Sequence, residues 1–270
     1  MMNIKKSLRI GLLKCDSFVP DIKNKFGDID TQFKNLLNSN TKSMDIDLSV
    51  FEVANDQFPS KEECLDRQKF QGFIISGSKS SVNDDKDWIK KLKEYIRFFS
   101  ENNVKTIGVC FGHQAIATAL GGKVSLNPKG WTVSDYRIDY INDSNFDKEN
   151  PLVFNDIVKQ QQKQQQQSSS SSSHLNIICI NKEIVTDIPK DFKIFAKNER
   201  SDNQAMYFKN QFYSFQGHPE YTPELIKATI LSRRGIIPDD VIEDGVNRAN
   251  NSNIDKSTFA NGMIDFFVEK

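Results

Sequence analysis

Ile107-Gly108-Val109-Cys110-Phe111-Gly112-His113-Gln114 carries a short β-rich run, Thr106–Val109, into a run of small residues, Gly112–Leu120, that Gly121-Gly122 closes. Its centre has the form G-x-C-x-G, the nucleophile-elbow pattern with Cys in place of Ser. A sharp strand-to-helix turn exposes a nucleophile above the sheet edge. The backbone approaches so closely there that its neighbours must be small, hence a glycine on either side. The helix N-terminus that follows favours negative charge and aims backbone N–H groups at a developing oxyanion. A buried structural cysteine is the competing reading, and the strand–turn–helix context favours the functional one.

Upstream of this stretch, Leu8–Leu13, Leu48–Val53 and Gly72–Ser76 read as strands, the last ending in a turn at Gly77. Helical segments around Asp30–Leu37 and Lys61–Phe70 separate them. Asp87–Ser100 places Trp88, Ile89, Leu92, Tyr95, Ile96 and Phe99 at one-face helical spacing, as a core-packing helix does. This alternation predicts an α/β fold with a mostly parallel central sheet flanked by helices. Beyond Lys123 the texture becomes strand-rich: Val133–Ile141, Ile177–Val185, Phe192–Ala196, Ala205–Phe208 and Phe212–Phe215, a set that extends the sheet or forms a flap beside it. Helices over Thr222–Arg234, about Asp239–Ala249 and Ser257–Glu269 complete the chain. The Gln- and Ser-rich tract at 159–173 has no apolar residue to bury, which predicts a disordered insertion within one domain spanning residues 1–270.

The 36 basic residues balance the 36 acidic ones, so no electrostatic footprint for nucleic acid or an acidic membrane surface is present. A small-molecule substrate is the expected partner. No apolar run approaches the length of a membrane span. Cys15, Cys64, Cys110 and Cys179 are scattered, without a C-x-x-C pair, which predicts free thiols in a reducing compartment, the cytosol. No Cys/His cluster has metal-ligand spacing, so neither a metal nor a cofactor is expected.

A thiol nucleophile needs a base, and the chain has three histidines. His174 borders the Ser tract, where nothing is expected to hold it, and His113 lies in the elbow helix as a packing residue. That leaves His218, in Gln216-Gly217-His218-Pro219-Glu220. In an extended segment, residues two apart project to one side, so Glu220 can face the same site and orient the imidazole.

Together, Ile107-Gly-Val-Cys-Phe-Gly-His-Gln114 and Gln216-Gly-His-Pro-Glu220 resemble the class I, triad-type glutamine amidotransferases, whose fold is flavodoxin-like. The resemblance runs from about Leu8 to Arg234. It implies Cys110 as nucleophile, His218 as base and Glu220 as its orienting acid. It further implies Gln114 as a contact to the glutamyl moiety, with oxyanion donors from Phe111 and from Gly77 or Ser78. Gly72-Phe-Ile-Ile-Ser-Gly-Ser78, Asp87-Trp88-Ile89 and Gly217-His-Pro-Glu-Tyr221 look like the standalone branch that includes plant γ-glutamyl peptidases. The turn usually written S-G-G-P is Ser76-Gly77-Ser78-Lys79 here. With no ATP-binding fingerprint in the chain, hydrolysis of a γ-glutamyl peptide is the leading expectation. A glutaminase subunit feeding ammonia to a separate synthetase partner is the alternative, and a non-catalytic protein that retains the fold is a third.

Overall fold

The computed structural model describes residues 7–40, 44–141 and 174–268; the Gln/Ser tract lies outside the described residues. A nine-stranded sheet forms the centre. Its strands are β1 (Ser7–Lys14), β2 (Asp45–Glu52), β3 (Gly72–Ile75), β4 (Thr106–Val109), β6 (Thr132–Tyr140), β7 (His174–Asn181), β9 (Lys193–Lys197), β10 (Ala205–Phe208) and β11 (Phe212–Phe215). Their order across the sheet is β2-β1-β3-β4-β11-β10-β9-β6-β7. A separate antiparallel pair joins β5 (Lys123–Leu126) to β8 (Glu183–Asp187).

The sheet is mixed, which corrects the expectation of a mostly parallel one. The pairs from β2 through β1, β3 and β4 to β11 are parallel. Those from β11 through β10, β9 and β6 to β7 are antiparallel. Connection length is the physical reason. Only Lys209, Asn210 and Gln211 separate β10 from β11, and so short a link permits only a hairpin, whereas a parallel pair needs a crossover of about a dozen residues. The single strand expected over Ile177–Val185 is two, because the chain leaves β7 at Lys182 and β8 turns away to pair with β5. His174, expected at a loose edge, opens β7 opposite Asp139.

Eight helices are described: α1 (Pro20–Phe26), α2 (Ile29–Asn38), α3 (Lys61–Leu65), α4 (Asp87–Glu101), α5 (Phe111–Ala119), α6 (Pro223–Leu231), α7 (Asp239–Ala249) and α8 (Lys256–Val268). Two-residue alternation in the short strands divides the core. Phe73 and Ile75 of β3 join Leu92, Ile96 and Phe99 of α4 and Ile116 of α5. Ile74 of β3 and Ile107 of β4 instead join Phe33 of α2 and Phe259 of α8. Each such fully buried side chain contributes about 1.5–3 kcal/mol relative to exposure. Both faces of β3 and β4 are therefore covered, and only their ends are free to carry chemistry.

Candidate active site

The parallel neighbours β3, β4 and β11 end side by side. Their carboxyl ends deliver, in order, the turn at Gly77–Ser78, Cys110 and the segment Gln216–Glu220. The carboxyl ends of parallel strands are where open α/β sheets place their ligands.

Cys110 is the single residue between β4 and α5, at φ 52° and ψ −102°. A non-glycine residue there carries strain of about 1–3 kcal/mol. Its amide is held by the Phe215 carbonyl at 2.8 Å, so β11 fixes the turn. The flanking glycines allow the helix to sit this close. A Cβ on Gly108 would lie 2.6 Å from the Gly112 backbone, and one on Gly112 would strike the Ile75 carbonyl. The backbone N–H groups of Phe111, Gly77 and Ser78 have no acceptor among the described residues.

His218 is buried, with its amide bonded to the Ile178 carbonyl at 2.6 Å. Its Nδ1 lies 2.7 Å from Oε1 of the buried Glu220. The Cys110 sulfur is close enough to the imidazole to favour its charged form. Burial by itself disfavours the charged imidazole, but the Glu220 carboxylate and the Cys110 sulfur outweigh it and push His218 up to about 10. The ring is clamped by Tyr221, whose centroid is 4.3 Å away, and by bare Gly77, where an added Cβ would meet His218 Cε1 at 2.6 Å.

A cleft of about 340 Å³ opens onto Cys110, Gly77, Ser78, His218 and Glu220. Its size is at the lower end of the range of about 300–1,000 Å³ usual for small-molecule sites. Gln114 is not among the residues lining it. It is buried, and its amide donates to the Glu183 carbonyl at 2.9 Å and to Gln216 Oε1 at 3.1 Å. Gln216 in turn directs Nε2 at Cys110 Sγ, 3.7 Å away. His113 is buried against Ser214, at 2.8 Å, and burial lowers it to about 3, so it stays neutral. Burial pushes the Cys15, Cys64 and Cys179 thiols up, which disfavours their thiolates. Among the described residues no group of His, Cys, Asp or Glu is arranged to hold a metal ion.

Three contributions went unread in the sequence. Gln216 gives no signal of its own beyond its place ahead of Gly217 and His218. Tyr221 packs on His218. Asp16, just beyond β1, accepts from the Lys79 amide at 2.8 Å and pairs with its ammonium at 3.0 Å, which fixes the turn after Gly77. The position of Asp16 past a buried parallel strand was the available signal for the last.

Known proteins resemble this chain in sequence and in fold. A glutamine amidotransferase-like protein of Schizosaccharomyces pombe is 28% identical over 96% of this chain and 98% of its own length. γ-Glutamyl peptidase 4 of Arabidopsis thaliana is 30% identical over 76% of this chain and 72% of its own. The solved structure of a glutamine amidotransferase from Thermotoga maritima superposes with a TM-score of 0.64, covering 97% of this chain and 99% of that one; at 14% identity it speaks for the fold alone. The family described as "Glutamine amidotransferase class-I" matches residues 26–237. That span takes in the turn at Gly77, Cys110 and the His218–Glu220 pair, and the chain belongs to the class-I glutamine amidotransferase family, a family of enzymes.

Proposed function

We propose that this chain, acting as one domain, is a cysteine-dependent hydrolase of the γ-glutamyl amide bond, with γ-glutamyl peptides as its principal substrates and glutamine as the alternative. The observation that carries the reading is the buried His218–Glu220 pair, 2.7 Å apart, beside the strained Cys110 at the base of an open cleft. Cys110 attacks the side-chain carbonyl of the γ-glutamyl group. The Phe111 amide and those of the Gly77–Ser78 turn receive the oxyanion. His218, held by Glu220, protonates the leaving nitrogen, and the product is a γ-glutamyl thioester on Cys110. Water that His218 deprotonates then releases glutamate and restores the thiol.

Gln216 and Gln114 act behind the sulfur. The carbonyl of Glu183 and Oε1 of Gln216 hold the Gln114 amide, so Gln216 keeps its own NH₂ turned toward Cys110. The four cysteines are free and buried, in keeping with a reducing compartment, and we place the reaction in the cytosol. Among the described residues no helix is long and apolar enough to cross a membrane.

The test is release of glutamate from glutathione and from glutamine by the purified chain, with Cys110→Ala as control. Loss of the nucleophile should lower the rate by at least about 10³-fold. Release from glutathione supports the peptidase reading. Release from glutamine alone favours a glutaminase subunit, and equal release by Cys110→Ala refutes the mechanism.

A further inference from the structure

The charges around the cleft are paired with one exception. Asp16 is bonded to Lys79, and Glu220 to His218. Arg233 also lines the cleft, half-buried, and its guanidinium has no partner among the described residues. It sits just beyond the C-terminus of α6, a favourable place for any cation. The last carbonyls of that helix are already used, however, because the Ser232, Arg233 and Arg234 amides bond Ala228, Ile230 and Leu231. The guanidinium is therefore free to face the cleft with its five donors in a fork that suits a carboxylate.

Its side of the cleft is identifiable. Arg233 is close enough to the Tyr221 phenol to act on it electrostatically, and Tyr221 stacks on His218. Arg233 is joined to the wall that carries the imidazole through α6, which begins at Pro223 just after Tyr221, and Tyr221 and Arg233 both line the cleft. Under the reaction proposed above, the imidazole protonates the departing nitrogen, so the leaving group lies along that same wall. Trp131 and Ile236 line the cleft as well and offer apolar surface to the leaving group's side chain.

Resting on the hydrolase reading, we infer that Arg233 is a specificity residue that binds the free carboxylate of the leaving group. The substrate is then a γ-glutamyl amino acid or peptide with an unblocked C-terminus, released as an amino acid or peptide rather than as ammonia. Arg233 binds and orients the substrate and takes no part in proton transfer.

Steady-state kinetics on a matched pair, γ-glutamylglycine and γ-glutamylglycinamide, test the inference, with glutamine as a third substrate. The wild-type chain should favour the free carboxylate by at least about ten-fold in kcat/KM, the worth of one charge-assisted contact. Arg233→Ala should erase that preference by raising KM for γ-glutamylglycine. Its loss on the amide should be smaller, cooperative unfolding of the variant in urea is the check on folding, and Arg233→Lys should restore part of the preference. Equal wild-type kcat/KM for the pair overturns the inference. Equal losses of Arg233→Ala on all three substrates also overturn it, and place Arg233 on the glutamyl α-carboxylate instead. Activity on glutamine but on neither peptide overturns it while leaving the hydrolase reading intact, whereas a wild-type chain inactive on all three removes both.

Discussion

Gly77→Ala is the smallest change that should separate catalysis from folding. A Cβ at this position falls 2.6 Å from His218 Cε1, and ordinary contact begins at 3.4 Å, so ring and turn must part by about 0.8 Å. A side chain free to swing would yield at little cost. His218 is not free, because Glu220 holds Nδ1 at 2.7 Å and Tyr221 covers the ring at 4.3 Å. The displacement therefore falls on the distance to the Cys110 sulfur or on the Gly77–Ser78 amides, and both belong to the geometry proposed for the reaction. A misplacement of about 1 Å costs on the order of 10²-fold in rate. Overpacking by one methyl costs stability about 1–3 kcal/mol. We predict kcat for glutamate release from glutathione to fall about 10²-fold, while the variant still unfolds cooperatively in urea. A variant with kcat within about two-fold of wild type would show that the close approach of Gly77 to His218 has no catalytic consequence, and that reasoning would be refuted.

Further outcomes follow from other contacts. Glu220→Gln removes the charge that supports the imidazolium and should lower kcat by roughly 10²–10⁴-fold, with a smaller change in KM; an unchanged kcat contradicts the orienting role. His218 is raised from 6.5 to about 10, against its burial, by Glu220 and Cys110, so its charged form stabilises the fold fully below about 6.5 and the contribution is lost as pH rises through about 10. The difference in Tm between the wild-type chain and His218→Asn should therefore shrink from about pH 6 to about pH 10, and a difference that grows contradicts the assigned direction. Phe73 is fully buried and stacks on Phe99 at 5.0 Å, so Phe73→Ala should cost about 3–5 kcal/mol in urea unfolding. A loss below about 1 kcal/mol would mean that this side of the core is not packed as described.

The legible part of this protein is the part where backbone geometry restricts residue type. Gly108, Cys110 and Gly112 could be read in advance because a strand-to-helix turn this close to β3 excludes a Cβ at either glycine. The helix α4 could be read because Ile89, Leu92, Ile96 and Phe99 repeat at helical spacing within its fifteen residues. Strand direction was harder. Phe212–Phe215 is parallel to β4 on one side and antiparallel to β10 on the other, and its four buried residues look the same either way. The three-residue link after Phe208 is the sign of strand direction that the sequence carries. The helix α1 went unread because of its seven residues only Ile22 is buried, which leaves almost no periodicity to detect. The pairing of His218 with Glu220 was legible from their spacing. The part proposed for Arg233 was not, since a lone arginine after a helix has no local pattern.

Intact-protein and peptide mass spectrometry, after rapid acid quench of the chain turning over glutathione, tests Cys110 as the nucleophile directly. The proposed mechanism predicts a γ-glutamyl adduct on the peptide that contains Cys110, absent from the peptides of Cys15, Cys64 and Cys179 and absent altogether in Cys110→Ala. It also predicts that Glu220→Gln forms the adduct more slowly. Glutamate release that persists in Cys110→Ala, or an adduct carried by another cysteine, would contradict the assignment of Cys110 as the nucleophile.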